Sequence, residues 1–323
     1  MGGNIVYGTV FISSYGVIHY MMFDFVGSIF GYILWFFFDL FDNYCLAVVC
    51  FTLLFKILFF PLDIKSRVTA FTSAKLFSKQ AEIKKMYKND MQKQAEEISK
   101  LYENEGLSSS AGSLLQSVFQ MVSMLGVYCA IVRPLTNMFH FSKEKVAAAV
   151  AKLTQVVGIN ANITKNYEQL NVVKYFPSNM GIFDMFNKSE VSDILDFNKG
   201  FNFLGIDFSL TPKSCSIFNA VWLFPLFCVL TSILSTIINQ KANKINNALG
   251  CMKYLPYVVL IPYMFFIINT PVAVGFYYII FNVLTIIQSL IISKFFNPAN
   301  IVAKEQAARI TRLLNEEKDI PKK

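Results

Sequence analysis

Residues 51–62 read FTLLFKILFFPL, and ten of these twelve are apolar if Pro61 is counted with them. Thr52 and Lys56 are the exceptions. An isolated charge at the centre of a membrane helix costs about 2.5–3.5 kcal/mol on insertion scales. Lys56 therefore needs a reason. It lies five residues before Pro61, roughly 7 Å of helix rise, so its long stem can carry the ammonium toward the membrane surface. Whether that is the whole explanation depends on what the rest of the chain places at the same depth.

The chain is apolar throughout. Of its 323 residues 54% are hydrophobic and 15% charged, with 33 phenylalanines. Soluble domains carry about 25% charge, and this composition is that of an integral membrane protein. Runs near the roughly 20 residues that cross a bilayer occur at 44–61, 113–138, 217–238, 254–270 and 273–293. The last two are separated by Asn269-Thr270-Pro271-Val272 and read as a tight hairpin. The fold class expected is all-α, with five membrane spans.

Basic residues orient these spans. Residues 1–43 contain none, 62–112 contain nine, 239–253 three and 294–323 seven. Segment 139–216 holds eight, but long translocated segments largely escape the rule. The reading is an N-terminus outside and a C-terminus in the cytosol. Fourteen uncharged residues between Asp24 and Asp39 suit an interfacial helix on the outer face, within an extracytoplasmic segment 1–43. Ile5 to Met22 is also uncharged and is the alternative, a sixth span. No basic region marks a secretory signal, and nothing resembles an organellar transit peptide.

In the cytosolic segment 62–112, Met91, Ala95, Ile98, Leu101 and Tyr102 recur at helical spacing. Glu96 and Lys100 stand four apart, and Lys88-Asn89-Asp90 reads as a turn. A helical hairpin is expected. Six cysteines without a CxxC spacing and two distant histidines exclude a readable metal cluster. The cysteines read as small membrane hydrophobes. No phosphate loop or nucleophile elbow is present.

The intramembrane polar residues share one depth. Thr52 and Lys56 fall in the inner half of the first span. On the second, Ser113, Gln116, Gln120 and Ser123 follow at helical spacing. On the third, Thr231, Ser232, Ser235, Thr236 and Asn239 crowd the inner end. On the fifth, Asn282, Thr285, Gln288 and Ser289 do the same. If these stripes face one another, they line a wet groove open to the cytosol and closed above. Asp63, beyond Pro61, is a possible ion partner for Lys56.

Taken in order, these residues resemble the YidC-type membrane protein insertases of bacteria, mitochondria and chloroplasts. The likeness covers roughly 23–138 and 200–296. It rests on a span ending in a basic residue, a few apolar residues, Pro61 and Leu62, then a charged hairpin closing with Leu101-Tyr102 and Gly106. Gln120-Met121 and Tyr128 follow. Leu204-Gly205-Ile206-Asp207 with Pro212 leads into a third span containing Pro225. Met252-Lys253-Tyr254 and Pro256 open the fourth, and Pro271, Tyr277-Tyr278, Asn282 and Gln288 mark the fifth. This chain departs from that pattern in three ways: Lys56 stands where an arginine is usual, both prolines leading into the second span are missing, and segment 139–216 is longer than the core needs.

The resemblance implies a membrane chaperone and insertase core with an outer interfacial helix and a cytosolic hairpin. It further implies clients that are nascent membrane proteins, partners in the ribosome, the Sec translocon and the lipid bilayer but not DNA, and a bacterial plasma membrane location. Lys56 would be the groove charge for the client. Thr52, Gln116, Gln120, Ser123, Thr231, Ser235, Asn282, Thr285 and Gln288 would be the groove lining. No cofactor and no enzymatic step are expected. Two unit charges 4 Å apart gain about 4 kcal/mol at an effective dielectric near 20, so one lysine offsets one client carboxylate. A secondary transporter of a small anion is the competing reading. It lacks the internal repeat common in transporters. A structural subunit, its polar stripes serving as interhelical glue, is a third.

Overall fold

The computed structural model describes residues 25–104, 111–157, 167–242 and 254–318; within these, the side chains of 73–75, 78, 111–120, 242, 305 and 316–318 lie outside the description. The described chain is all-α apart from one two-stranded ribbon. It divides into two compact units.

Helices Ala220–Lys241 and Val272–Phe295 are each long and apolar enough to cross a membrane. A third candidate is broken: α2 (Tyr44–Leu58) and α3 (Phe60–Met86) are separated at Phe59, with a 59° bend between Tyr44–Leu58 and Phe60–Thr72. Pro61 explains the break. It has no N–H to give the Ile57 carbonyl and disfavours helical geometry in the residue before it. Shorter apolar helices cover Met121–Val132 and Leu255–Asn269. Among the described residues, membrane-competent helices thus number two, or three with the broken pair.

The first unit comprises residues up to Leu54, Phe119–Cys228 and Tyr263–Phe281. Its opening helix α1 (Phe25–Phe41) lies against α5 (Ala111–Val132) and α6 (Pro134–Asn137). Gly27, Gly31 and Gly126 allow this: a Cβ at Gly31 would stand 2.0 Å from the Asn137 carbonyl oxygen, and one at Gly126 2.5 Å from Val26. Asn137 is itself buried and donates to the Cys129 carbonyl at 2.9 Å.

Within the expected loop 139–216, the described residues 139–157 and 167–216 are folded in this unit. It contains α7 (Lys143–Val157), α8 (Glu168–Tyr175) and α9 (Lys188–Gly200), the last opened by a capping box between Asn187 and Glu190. Strands β1 (Asn202–Phe203) and β2 (Ile206–Asp207) then pair antiparallel, Phe203 opposite Ile206. Leu204 and Gly205 make the turn with φ of 51° and 76°, the positive-φ pair that a two-residue hairpin turn requires. An aromatic core fixes the segment: Phe197 meets Phe38 at 5.2 Å, and Tyr44 meets Phe201 at 4.7 Å and Phe208 at 5.9 Å between centroids. Backbone N–H groups of Val272 and Ala273 donate to the Leu210 and Phe208 carbonyls. This satisfies donors that a helix leaves open at its start.

The second unit comprises Phe55–Val118, Val229–Pro262 and Asn282–Lys323. Here α3 lies beside α4 (Met91–Asn104), with a turn at Tyr87–Asp90 between them. Gln80 donates to the Tyr102 hydroxyl at 2.7 Å, and Lys100 pairs with Glu96 at 2.9 Å. Helix α13 (Pro298–Lys318) packs along α3. The Arg309 guanidinium donates to the Glu103 and Asn104 carbonyls at the end of α4.

Candidate functional site

Within the second unit, α2, α3, α10 (Leu223–Ala242) and α12 (Val272–Phe295) bring their polar residues together. Helical periodicity aligns each stripe. On α12, Asn282, Thr285 and Gln288 or Ser289 follow at three- and four-residue steps. On α10, Thr231 or Ser232, Ser235 and Asn239 do the same.

Three connections carry the charges. The Lys56 ammonium donates to Thr285 Oγ1 at 2.8 Å. Gln288 donates from Nε2 to Asp63 Oδ2 at 2.8 Å. Arg67 donates from Nη2 to Asn239 Oδ1 at 2.8 Å and also to Ser289 Oγ. Ser289 is fully buried and passes its own proton donor to Asn239 Oδ1. A neutral crosslink ties the two helices further along: Asn282 Nδ2 donates to Thr231 Oγ1 at 3.2 Å and to Ser232 Oγ at 2.8 Å. Ser235 is buried and accepts from Asn239 at 3.4 Å.

Asp63 is within electrostatic reach of both Lys56 and Arg67. Among the described residues, two cations and one carboxylate leave this cluster with a surplus of one positive charge. Buried polar groups of this kind are tolerated because they are hydrogen-bonded. The exception is Arg67 Nη1, which is buried and has no hydrogen-bond partner.

Of the residues singled out from sequence, Lys56, Thr231, Ser235, Asn282, Thr285 and Gln288 belong to this cluster. Thr52 and Ser123 belong to the first unit. Thr52 is buried and donates to the Val48 carbonyl at 2.6 Å, so its hydroxyl is satisfied within its own helix. Ser123 Oγ is buried without a hydrogen-bond partner. The side chains of Gln116 and Gln120 lie outside the described residues.

Arg67 was hidden among the nine cations of its segment. One signal could have found it. Asp63 and Arg67 are four residues apart, the spacing of a single helix face, and Lys56 stands seven residues before Asp63, across the break at Phe59.

The sequence model of the 60Kd inner membrane protein family matches residues 36–299. A protein named membrane protein insertase YidC from Amoebophilus asiaticus is 25% identical over 264 residues, 81% of this chain and 35% of the relative. One of the same name from Cytophaga hutchinsonii is 27% identical over 104 residues, 32% of this chain and 16% of that protein. The one from Geotalea uraniireducens is 31% identical over 100 residues, 31% and 18% respectively. The matched part of this chain thus spans about a third or less of each relative. The match from residue 36 to 299 takes in every element of the polar cluster, and the chain therefore belongs to the YidC-type family of 60Kd inner membrane proteins.

Proposed function

We propose that this chain is a membrane protein insertase and chaperone. In this reading it takes hydrophilic parts of nascent membrane proteins into a cytosol-open, positively charged groove and releases their helices sideways into lipid. One observation carries it: four helices converge hydroxyl, amide and charged side chains on Lys56 and Arg67, with one surplus positive charge. Glue between helices would need no such surplus.

The topology proposed has five spans, the broken pair at Phe59 and the helices around 113–138 and 254–270 included, with the N-terminus outside and the C-terminus in the cytosol of a bacterium. Its support is an alternation. Helices α2, α10 and α12 begin in the first unit and end in the second, while α5 and α11 (Leu255–Asn269) run the other way. The α3–α4 pair would be the cytosolic hairpin that meets the client or the Sec translocon. The basic α13 would face the ribosome or anionic lipid heads.

The energetics are modest and sufficient. Carrying a carboxylate into a membrane costs about 2.5–3.5 kcal/mol. A cation about 4 Å away returns a similar amount at an effective dielectric near 20. Burial of the client's own apolar helix supplies the drive, about 25 cal/mol per Å². No nucleotide is required.

The test places photo-crosslinkers at Thr231 and Asn282 and presents a stalled ribosome carrying a nascent membrane protein. Adducts to the nascent chain are expected. In the same system Lys56→Arg keeps insertion and Lys56→Glu loses it for clients with acidic tails. Equal activity of Lys56→Glu on those clients, or crosslinks that never reach the nascent chain, would overturn the proposal.

A further inference from the structure

The geometry points to Arg67 as a second anion receptor in this cluster, one that engages a carboxylate of the incoming client through its unused Nη1 edge. The inference deepens the insertase reading and rests on it.

Three observations converge. First, Arg67 is held in place by neutral groups. Both protons of Nη2 are spent, one on Asn239 Oδ1 and one on Ser289 Oγ. Asn239 and Ser289 are bonded to each other, so the guanidinium plane is fixed from α10 and α12 together. Neutral acceptors position the charge without cancelling it. Second, Nη1 is buried and has no hydrogen-bond partner. A buried donor left unmet is costly, and an arriving oxygen relieves that cost. The two faces of the fork are thus divided, one anchored on neutral acceptors and one buried with its donor unpaired. Third, the fork is the shape that recognises carboxylates, which the Lys56 ammonium is not.

The alternative is that Arg67 only braces α3 against α10 and α12. Bracing and anion binding predict different things. A brace supports every client alike. A receptor matters only when the client brings an anion. Asp63 sits on the same helix face and faces both cations electrostatically, so the site also discriminates. A weakly acidic client competes with Asp63, and a neutral one gains nothing.

The experiment uses the full chain in proteoliposomes and two clients that differ only by aspartate or asparagine in the translocated tail. The readout is the ratio of their protease-protected insertion. Arg67→Gln is expected to lower the aspartate-to-asparagine ratio roughly ten-fold, the lower end of what a hydrogen bond to a charged group contributes. Arg67→Lys, which keeps the charge and loses the fork, is expected to give a ratio between those of the wild type and Arg67→Gln. Lys56→Gln serves as the reference.

If Lys56→Gln lowers the ratio and Arg67→Gln leaves it unchanged, the receptor role of Arg67 is refuted and the groove reading stands. If neither changes it, the groove-charge reading fails and takes this inference with it. If Arg67→Gln and Arg67→Lys both depress the two clients equally, Arg67 is a brace and the inference is wrong.

Discussion

Replacing Gly31 with alanine tests the packing of the first unit at its tightest point. A Cβ there would stand 2.0 Å from the Asn137 carbonyl oxygen and 2.5 Å from its carbonyl carbon. A carbon approaches a carbonyl oxygen no closer than about 3.3 Å in ordinary contact, so α1 and α6 must separate by more than about 1 Å. The obstacle is backbone and cannot rotate away. Asn137 also donates its side chain to the Cys129 carbonyl, so displacing it disturbs α5 as well. Overpacking of this kind typically costs 1–3 kcal/mol, and the rigid neighbour puts Gly31→Ala at or above about 3 kcal/mol. Alanine returns about 1 kcal/mol through its better helix propensity. The net of about 2 kcal/mol corresponds to roughly 4–8 °C in the unfolding midpoint. Gly275→Ala is the control. Its Cβ would meet Phe224 at 3.5 Å, Cys228 Sγ at 3.8 Å and Ile267 at 4.0 Å, all ordinary contacts, so its midpoint should hold or rise. The assay is thermal unfolding in detergent with a thiol-reactive dye, at a fixed scan rate because such unfolding is often irreversible. Buried Cys45 and Cys228 report the opening. Equal midpoints for the two variants would refute the claim that α1 approaches α6 through a space only glycine leaves.

Two further outcomes are expected. Burial raises the Glu190 pKa, but the Lys145 ammonium at 2.7 Å and the Asn187 backbone N–H outweigh it and hold the carboxyl below its ordinary value. A folded value below the unfolded one stabilises above the unfolded pKa, near 4.3, and that stabilisation is lost as pH falls through the folded value. Wild type should therefore lose stability as pH falls below the unfolded value near 4.3 in a step that Glu190→Gln flattens, measured by thermal unfolding across the acid range; a parallel decline in both would show the pair is not the source. Arg309→Ala removes the donor that closes the last carbonyls of α4. An exposed contact of this type contributes about 0.3–1 kcal/mol, so amide hydrogen exchange in residues 99–104 should accelerate roughly two- to five-fold, and unchanged exchange would argue that α13 does not hold α4.

Sequence periodicity could tell which residues share a helix face but not which faces meet. Thr231, Asn282 and Gln288 were legible because a polar residue in an apolar run has few uses, and four such runs carried polar residues at one depth. The turn between α11 and α12 was legible from Pro271, and the Glu96–Lys100 pair from its spacing alone. The folded segment around α7 to α9 was not. Its stability comes from contacts distant in sequence, such as Tyr44 against Phe201, and no local pattern announces them. Gly31 is similar: its role depends on Asn137, 106 residues away. Arg67 was missed for a different reason. It sits past Pro61, where counting basic residues to orient the chain treats each as surface charge. Instead it lies on α3 one turn beyond Asp63 and is bonded to Asn239 and Ser289.

Under the proposed function, the arrangement of charge accounts for a lysine at position 56 where the family resemblance leads one to expect an arginine. A single ammonium beside a carboxylate would be nearly cancelled, and a lone buried pair contributes little beyond offsetting its own desolvation. Here Asp63 is held by the neutral Gln288 amide, and Arg67 by the neutral Asn239 and Ser289. All three charges have neutral partners among their hydrogen bonds, and the two cations exceed the one carboxylate. The fork that position 56 lacks is present eleven residues later, on α3 one turn beyond Asp63. In the proposed function the fork and the groove cation are separate residues, and the Arg67 and Lys56 variants probe them one at a time.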